Sequence, residues 1–337
     1  MELVNRTPYE AERAITMNRD AAETLIVGVK GTWKFTRGGE MELAEVQAPI
    51  GMMDEYAGDP AETSVVSEFE LGLPKPSTNV VLLGSARPER RGVREMPVTL
   101  RAGPIRKTAV VTGRRLWLNS FGFPRATKPE PIDEVALVWE NSYGGSDLEA
   151  KAWEPSNPVG RGFRGKKSKL PWKDTELPNV EHPKHRLTKP TGKAIPWGFG
   201  FVAPFWEPRR SRAGTYDDAW TQDRAPLLPE DFQDTFHHSV CDDQVAPRRF
   251  RGDEEIEVVN VRRGKPLRGR VPRGFPVASV VIGGSLAGLP LALDTAAIDA
   301  DAEELRLVWK GALNVHGRSL KIRAIIVDLA ASRKGEV

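Results

Sequence analysis

The chain has 337 residues, 39% of them hydrophobic, with a formal net charge of +3 and a single cysteine, Cys241. One cysteine excludes an intramolecular disulfide, and so small a net charge does not demand a nucleic-acid partner. The 31 glycines and 27 prolines are too many for a helical protein and suit strands joined by shaped loops.

Period-2 alternation and β-branched runs dominate the first 140 residues. Thr24–Phe35 reads as a strand with Trp33 and Phe35 on one face. Gly38-Gly39 then turns the chain into Met41–Val46. Further strands are expected over Thr63–Phe69, Asn79–Ala86, Val93–Arg101, Ile105–Val111 and Glu134–Trp139. Ala102-Gly103-Pro104 joins two of these as a tight antiparallel hairpin.

From Gly144 to Leu228 no regular period survives, yet the segment carries Trp153, Trp172, Trp197, Trp206 and Trp220. A disordered linker lacks such an aromatic load. The segment is therefore expected to be an ordered, irregular insertion pinned to the sheets by its aromatics. Residues 151–215 hold 14 Lys/Arg against 5 Asp/Glu. Such a basic stretch suits an acidic partner surface, or in the plainer reading solvates a loop.

Pro229-Glu230-Asp231, followed by Phe232 and Phe236, predicts a short helix over 229–239: proline and acids in the first turn, rings four apart on one face. Strands resume at Glu254–Val261, Pro266–Val271, Val277–Ile282, Leu291–Ile298, Glu304–Lys310 and Lys321–Val327. The predicted fold is mainly β, with few short helices. Antiparallel sandwich or barrel-like lobes at 1–143 and 229–337, or one continuous domain, enclose the Pro/Gly/Trp-rich insertion at 144–228.

Several motifs invite chemistry. Val280-Val281-Ile282-Gly283-Gly284-Ser285-Leu286-Ala287-Gly288 imitates a dinucleotide fingerprint, with Asp299 or Asp301 as the ribose acid. Ser285 replaces the middle glycine, and Pro290 would break the helix that must follow, at roughly 3 kcal/mol. A glycine-rich β-turn is the better reading. The same turn explains Gly274–Leu293, twenty residues without a charge, better than a membrane span does. His237, His238, Cys241, Asp242 and Asp243 offer metal-ligand types, but no second Cys or His pair lies near in sequence. A helix end accounts for them. Asp217/Asp218 or Glu230/Asp231 imitate a glycosidase dyad, yet each pair has a ready structural role in a turn or first helical turn. Arg161, Arg164, Lys166, Lys167 and Lys169 with Phe163 and Trp172 imitate a single-strand binding track, without any module motif. No serine elbow and no phosphate loop occurs. No cofactor, metal, nucleic acid or membrane is expected, and Met1–Arg6 has no signal-peptide core.

Specific loop residues remain: Val4-Asn5-Arg6-Thr7-Pro8-Tyr9, Val29-Lys30-Gly31-Thr32-Trp33, Leu73-Pro74-Lys75-Pro76, Ser142-Tyr143-Gly144-Gly145 and Asp243-Gln244. Across nearly the whole chain these resemble a bacterial family, long labelled a domain of unknown function, that is found with type VI secretion systems. The resemblance implies a cytoplasmic, non-enzymatic adaptor or chaperone. Its partner would be a secreted effector, or a VgrG or PAAR spike-tip protein, bound before export. Because Trp, Tyr and Arg dominate interface energetics, the expected contacts are Arg161, Arg164, Trp206, Tyr216 and Trp220. The competing expectation is a β-rich carbohydrate-active enzyme or carbohydrate-binding module.

Overall fold

Alternation decides the architecture. Along Ile105–Thr112, Ile105, Lys107, Ala109 and Val111 are buried while Arg106 is exposed, so one face of the strand meets the core. The computed structural model describes residues 1–330, and three sheets carry the fold. The largest runs Glu10–Met17, Glu23–Phe35, Glu304–Asn314, Ala292–Asp299, Asn79–Leu83, with Met41–Leu43 beside Glu23–Phe35. The second runs Val180–Glu181, Ile105–Thr112, Glu95–Ala102, Glu255–Val259, Leu267–Arg270. The third runs Glu2–Asn5, Ile322–Leu329, Pro276–Ile282, Ser285–Leu289. The protein is thus mainly β, and none of these sheets closes into a barrel.

Each of the three sheets joins strands from residues 1–143 to strands from 229–337. Pairing is also not purely antiparallel. Glu2–Asn5 lies parallel to Ile322–Leu329, and Asn79–Leu83 parallel to Ala292–Asp299. One apolar cluster joins the sheets, with Val27, Leu82, Leu100, Val258, Leu307 and Ile325 all fully buried. Each such side chain contributes about 1.5–3 kcal/mol. Trp33 and Phe35 share this cluster, on the face that the alternation predicts.

The outer face of the largest sheet is unlike its inner one: it is charged and still buried. Lys30 pairs with Glu70 at 2.8 Å, and Lys310 with Asp294 at 2.9 Å. Lys75 pairs with Glu68, and its backbone N–H donates to Asp294. Burial alone would raise the Glu68 and Asp294 carboxyls. Lys75 and Lys310 outweigh it and hold both below the usual carboxylate range.

The glycine-rich motif is a hairpin. Pro276–Ile282 and Ser285–Leu289 pair antiparallel around Gly283 (φ +57°) and Gly284 (φ +88°), a turn that needs glycine at both positions. The helix expected over 229–239 does not form. A 3-10 turn spans only Asp234–His237, and the α-helices lie earlier, at Arg209–Arg212 and Asp218–Asp223. Tertiary contacts took over from local propensity. Asp231 accepts from the Thr215 backbone N–H and hydroxyl, and the Gln233 N–H donates to the Arg212 carbonyl. Consequently His237 and Cys241 share no helical face. His238 instead receives a hydrogen bond from Asn79 on the largest sheet.

Candidate functional site: a groove along the irregular segment

The middle segment is held at three points. Asn157 is completely buried, and its amide donates to the carbonyls of Trp139 and Tyr143, both at 2.9 Å. Tyr143–Gly144 then pairs in parallel with Arg161–Gly162. Gly144 has φ +154°, and a Cβ there would meet the Asn157 carbonyl oxygen at 2.1 Å, so only glycine fits. Trp139 is the second anchor: its Nε1 donates to the Phe201 carbonyl, and its ring meets Trp206 edge-on at 6.0 Å. Lys107 is the third. Its ammonium donates to Asp243 and Gln244, both at 2.9 Å, and sits 4.4 Å from the Trp197 ring centre. Gln244 in turn donates to the carbonyls of Val80 and Phe199.

Beside these anchors lies an open groove of about 390 Å³, lined by Trp153, Pro155, Pro158, Phe205, Glu207 and Arg210 together with Pro60 and Ala61. A second hollow of about 460 Å³ has a lining that includes Glu62, Glu140, Phe163, Arg161, Arg164 and Glu176. Pro60-Ala61 precedes Glu62, and Pro158 precedes Val159, so neighbouring stretches of chain line both hollows. Asp59 fixes the 59–63 loop, accepting from the backbone N–H groups of Ala61, Glu62 and Thr63. Ser64 ties that loop to Glu140 by two hydrogen bonds.

Trp153 and Phe205 are 51% and 49% exposed, large apolar surfaces left facing water. Arg210 is exposed, and its side chain makes no hydrogen bond or ion pair among the described residues. Burial raises the Glu154 carboxyl, with Lys193 opposing, and lowers the Arg164 guanidinium, with Asp147 opposing. The linings mix Arg161, Arg164 and Arg210 with Glu62, Glu140, Glu176 and Glu207, so the arrangement suits a partly apolar chain of mixed polarity.

The expected contact residues are scattered. Arg161 and Arg164 line the second hollow, but both are occupied. Arg161 bonds Glu176 at 2.5 Å, Asn141 at 2.8 Å and the Glu140 carbonyl at 2.9 Å. Arg164 donates to the carbonyls of Leu170 and Pro171 within its own loop. Trp206 has no exposed surface and is a core residue, not a contact. Tyr216 and Trp220 pack on each other at 4.7 Å away from the groove lining, with Trp220 Nε1 bonded to the Leu227 carbonyl. Trp153, Phe205 and Arg210 are the residues that sequence reasoning missed. Without a period, nothing distinguishes Phe205, turned outward, from Trp206, turned inward.

A family model described as an uncharacterized protein conserved in bacteria (DUF2169) matches residues 20–310. The chain belongs to this family. The DUF2169 match takes in every residue lining the groove and its three anchors. It leaves out the strands Glu2–Asn5, Glu10–Met17 and Ile322–Leu329. No curated protein and no solved structure gives a significant match. Among the described residues no three His, Cys, Asp or Glu side chains converge as a metal-ligand set, and no helix is long and apolar enough to cross a membrane.

Proposed function

We propose that this protein is a non-catalytic adaptor whose groove holds a partly apolar segment of another protein. The observation that carries the reading is the pair Trp153 and Phe205, half exposed in one groove lining together with Arg210, whose side chain is unpaired among the described residues. Aromatic and arginine side chains of this kind are where binding energy concentrates. The basic excess of residues 151–215 supplies long-range attraction for an acidic partner. The secretion role rests on the resemblance to type VI accessory proteins. On that reading the segment belongs to a secreted effector or a VgrG or PAAR spike-tip protein, bound in the cytoplasm before export.

The test is co-purification with the toxin encoded near this gene, with its secretion followed in a deletion strain. Unchanged secretion together with no complex at any salt concentration sinks the reading. A second reading draws on the same exposed Trp153 ring, which suits stacking against a sugar face. Glycan binding abolished by Trp153→Ala, with no protein partner recovered, would replace the adaptor reading by the carbohydrate one.

A further inference from the structure

The strand Ser285–Leu289 forms one edge of the four-stranded sheet, with no strand on its outer side. Ile282 and Ser285 close the two-residue turn as a hydrogen-bonded pair. Alternate residues then point their backbone outward, so the N–H and C=O groups of Leu286 and Gly288 face away from the sheet.

Sheet edges in soluble proteins are normally guarded by charge, proline or a bulge. Two other edges here follow that rule: Glu10–Met17 carries Glu10, Glu12 and Arg13, and Leu267–Arg270 carries Arg268 and Arg270. Ser285–Leu289 reads Ser-Leu-Ala-Gly-Leu, with no charge, proline or bulge inside the strand; it lies within the uncharged run Gly274–Leu293, and Pro290 follows only at its end. Its side chains are self-complementary. Antiparallel pairing about a two-fold at Ala287 sets Leu286 of one copy opposite Gly288 of the other, on the same face. Leu286 is 68% exposed, and a Cβ built on Gly288 meets nothing within 4 Å. The large side chain therefore meets open space. This register also places the outward N–H and C=O groups of Leu286 directly opposite those of Gly288.

We infer that Ser285–Leu289 pairs antiparallel with the same strand of a second copy of this chain, joining two sheets into one. Leu286 and Gly288 exchange N–H···O=C bonds twice by symmetry, and Ala287 meets its own counterpart as a non-hydrogen-bonded pair. A foreign strand would find the same backbone groups, but the leucine-to-glycine match about a two-fold selects an identical chain. A contact this short predicts concentration-dependent association rather than a permanent dimer. It is independent of the groove.

Two measurements on the full chain test this. Sedimentation equilibrium of the native chain should give a mass that climbs from one copy towards two as concentration rises. Gly288→Pro removes only an outward N–H, and Leu286→Lys adds an edge charge. Each should weaken association at least tenfold while leaving the circular dichroism unchanged. In a Cys241→Ser background, Ala287→Cys should oxidise to a covalent dimer. Opposed Cα atoms in such a pair lie about 4.5 Å apart, within disulfide reach. Val277→Cys, exposed one strand inward, should not. A chain that stays monomeric at every concentration, an Ala287→Cys variant that fails to cross-link, or a dimer that survives both edge substitutions overturns the inference.

Discussion

Lys107 Nζ donates to Gln244 Oε1 at 2.9 Å, from a lysine that is 1% exposed. The bond connects the second sheet to the turn that carries Asp243 and Gln244, and through Gln244 to the Val80 and Phe199 carbonyls. Removing the ammonium strands a buried amide oxygen and leaves Asp243 without its cation. Lys107→Ala should cost about 2–4 kcal/mol, read as a lowered midpoint in urea. A midpoint within experimental error of the native protein would show that the contact is dispensable.

Stability should fall with acid. Burial lowers both His237 and His238 to about 4. Lys310 and Arg209 reinforce this at His237, against Asp234 and Asp294. At His238 Lys75 and Arg212 reinforce it, against Asp294 and Asp242. Geometry agrees at His238. Asn79 Oδ1 accepts from the Ser239 N–H, so its amide nitrogen faces His238 Nδ1 at 2.7 Å and requires that nitrogen unprotonated. Unfolded histidine titrates near 6.5, above the folded value, so the unfolded chain takes up protons first. The stabilisation is complete above about pH 6.5 and is lost as pH falls towards about 4, by up to about 1.4 kcal/mol per pH unit and histidine. Denaturation midpoints across that window should show the decline, and His238→Gln should make it shallower.

Trp206 and Trp153 should separate fold from binding. Trp206→Ala opens the core beside Trp139 and should cost about 3–5 kcal/mol. Trp153→Ala removes a half-exposed ring and should change stability by less than about 0.5 kcal/mol, yet speed dissociation of a bound partner. Arg210→Glu should mainly slow association, and more at low salt. Stopped-flow binding and thermal melts of the same samples distinguish these outcomes.

Gly144→Ala should be among the most damaging single changes of one methyl group. Its Cβ would run into the Asn157 carbonyl, and the backbone conformation excludes a side chain. Loss of soluble protein on expression, while Gly288→Ala remains native, is the expected contrast.

Trypsin should cut first between Arg164 and Lys173, where Lys166, Lys167 and Lys169 are exposed outside any strand. First cleavage inside the large sheets, at residues 20–110, would contradict this.

Much of the β framework could be read from alternation, because a half-buried strand writes its two faces into its sequence. Both hairpins at Gly103-Pro104 and Gly283-Gly284 were readable for the same reason. Sheet order was not: a strand's sequence says which face is buried and is silent on which neighbour lies beside it. The buried lysines left a faint signal, since Lys107 falls in phase with Ile105, Ala109 and Val111. The groove left almost none. Its walls come from a segment whose shape is set by Asn157, Trp139 and Lys107 reaching across the fold, and no local period records such ties. The misplaced helix has the same origin, with Asp231 and Gln233 engaged by Thr215 and Arg212.

Glu2–Asn5 lies against Ile322–Leu329 in parallel register, Leu3 beside Ile325. In the order of synthesis Glu2–Asn5 must wait for Ile322–Leu329 before that ladder can form. No large sheet is complete when the groove-forming segment has already been synthesised. Each large sheet therefore closes only after the groove-forming segment has been made, and an unassembled edge stays open until then. A ribosome stalled late in the message would display the anchors of the groove on a framework still missing its closing strands.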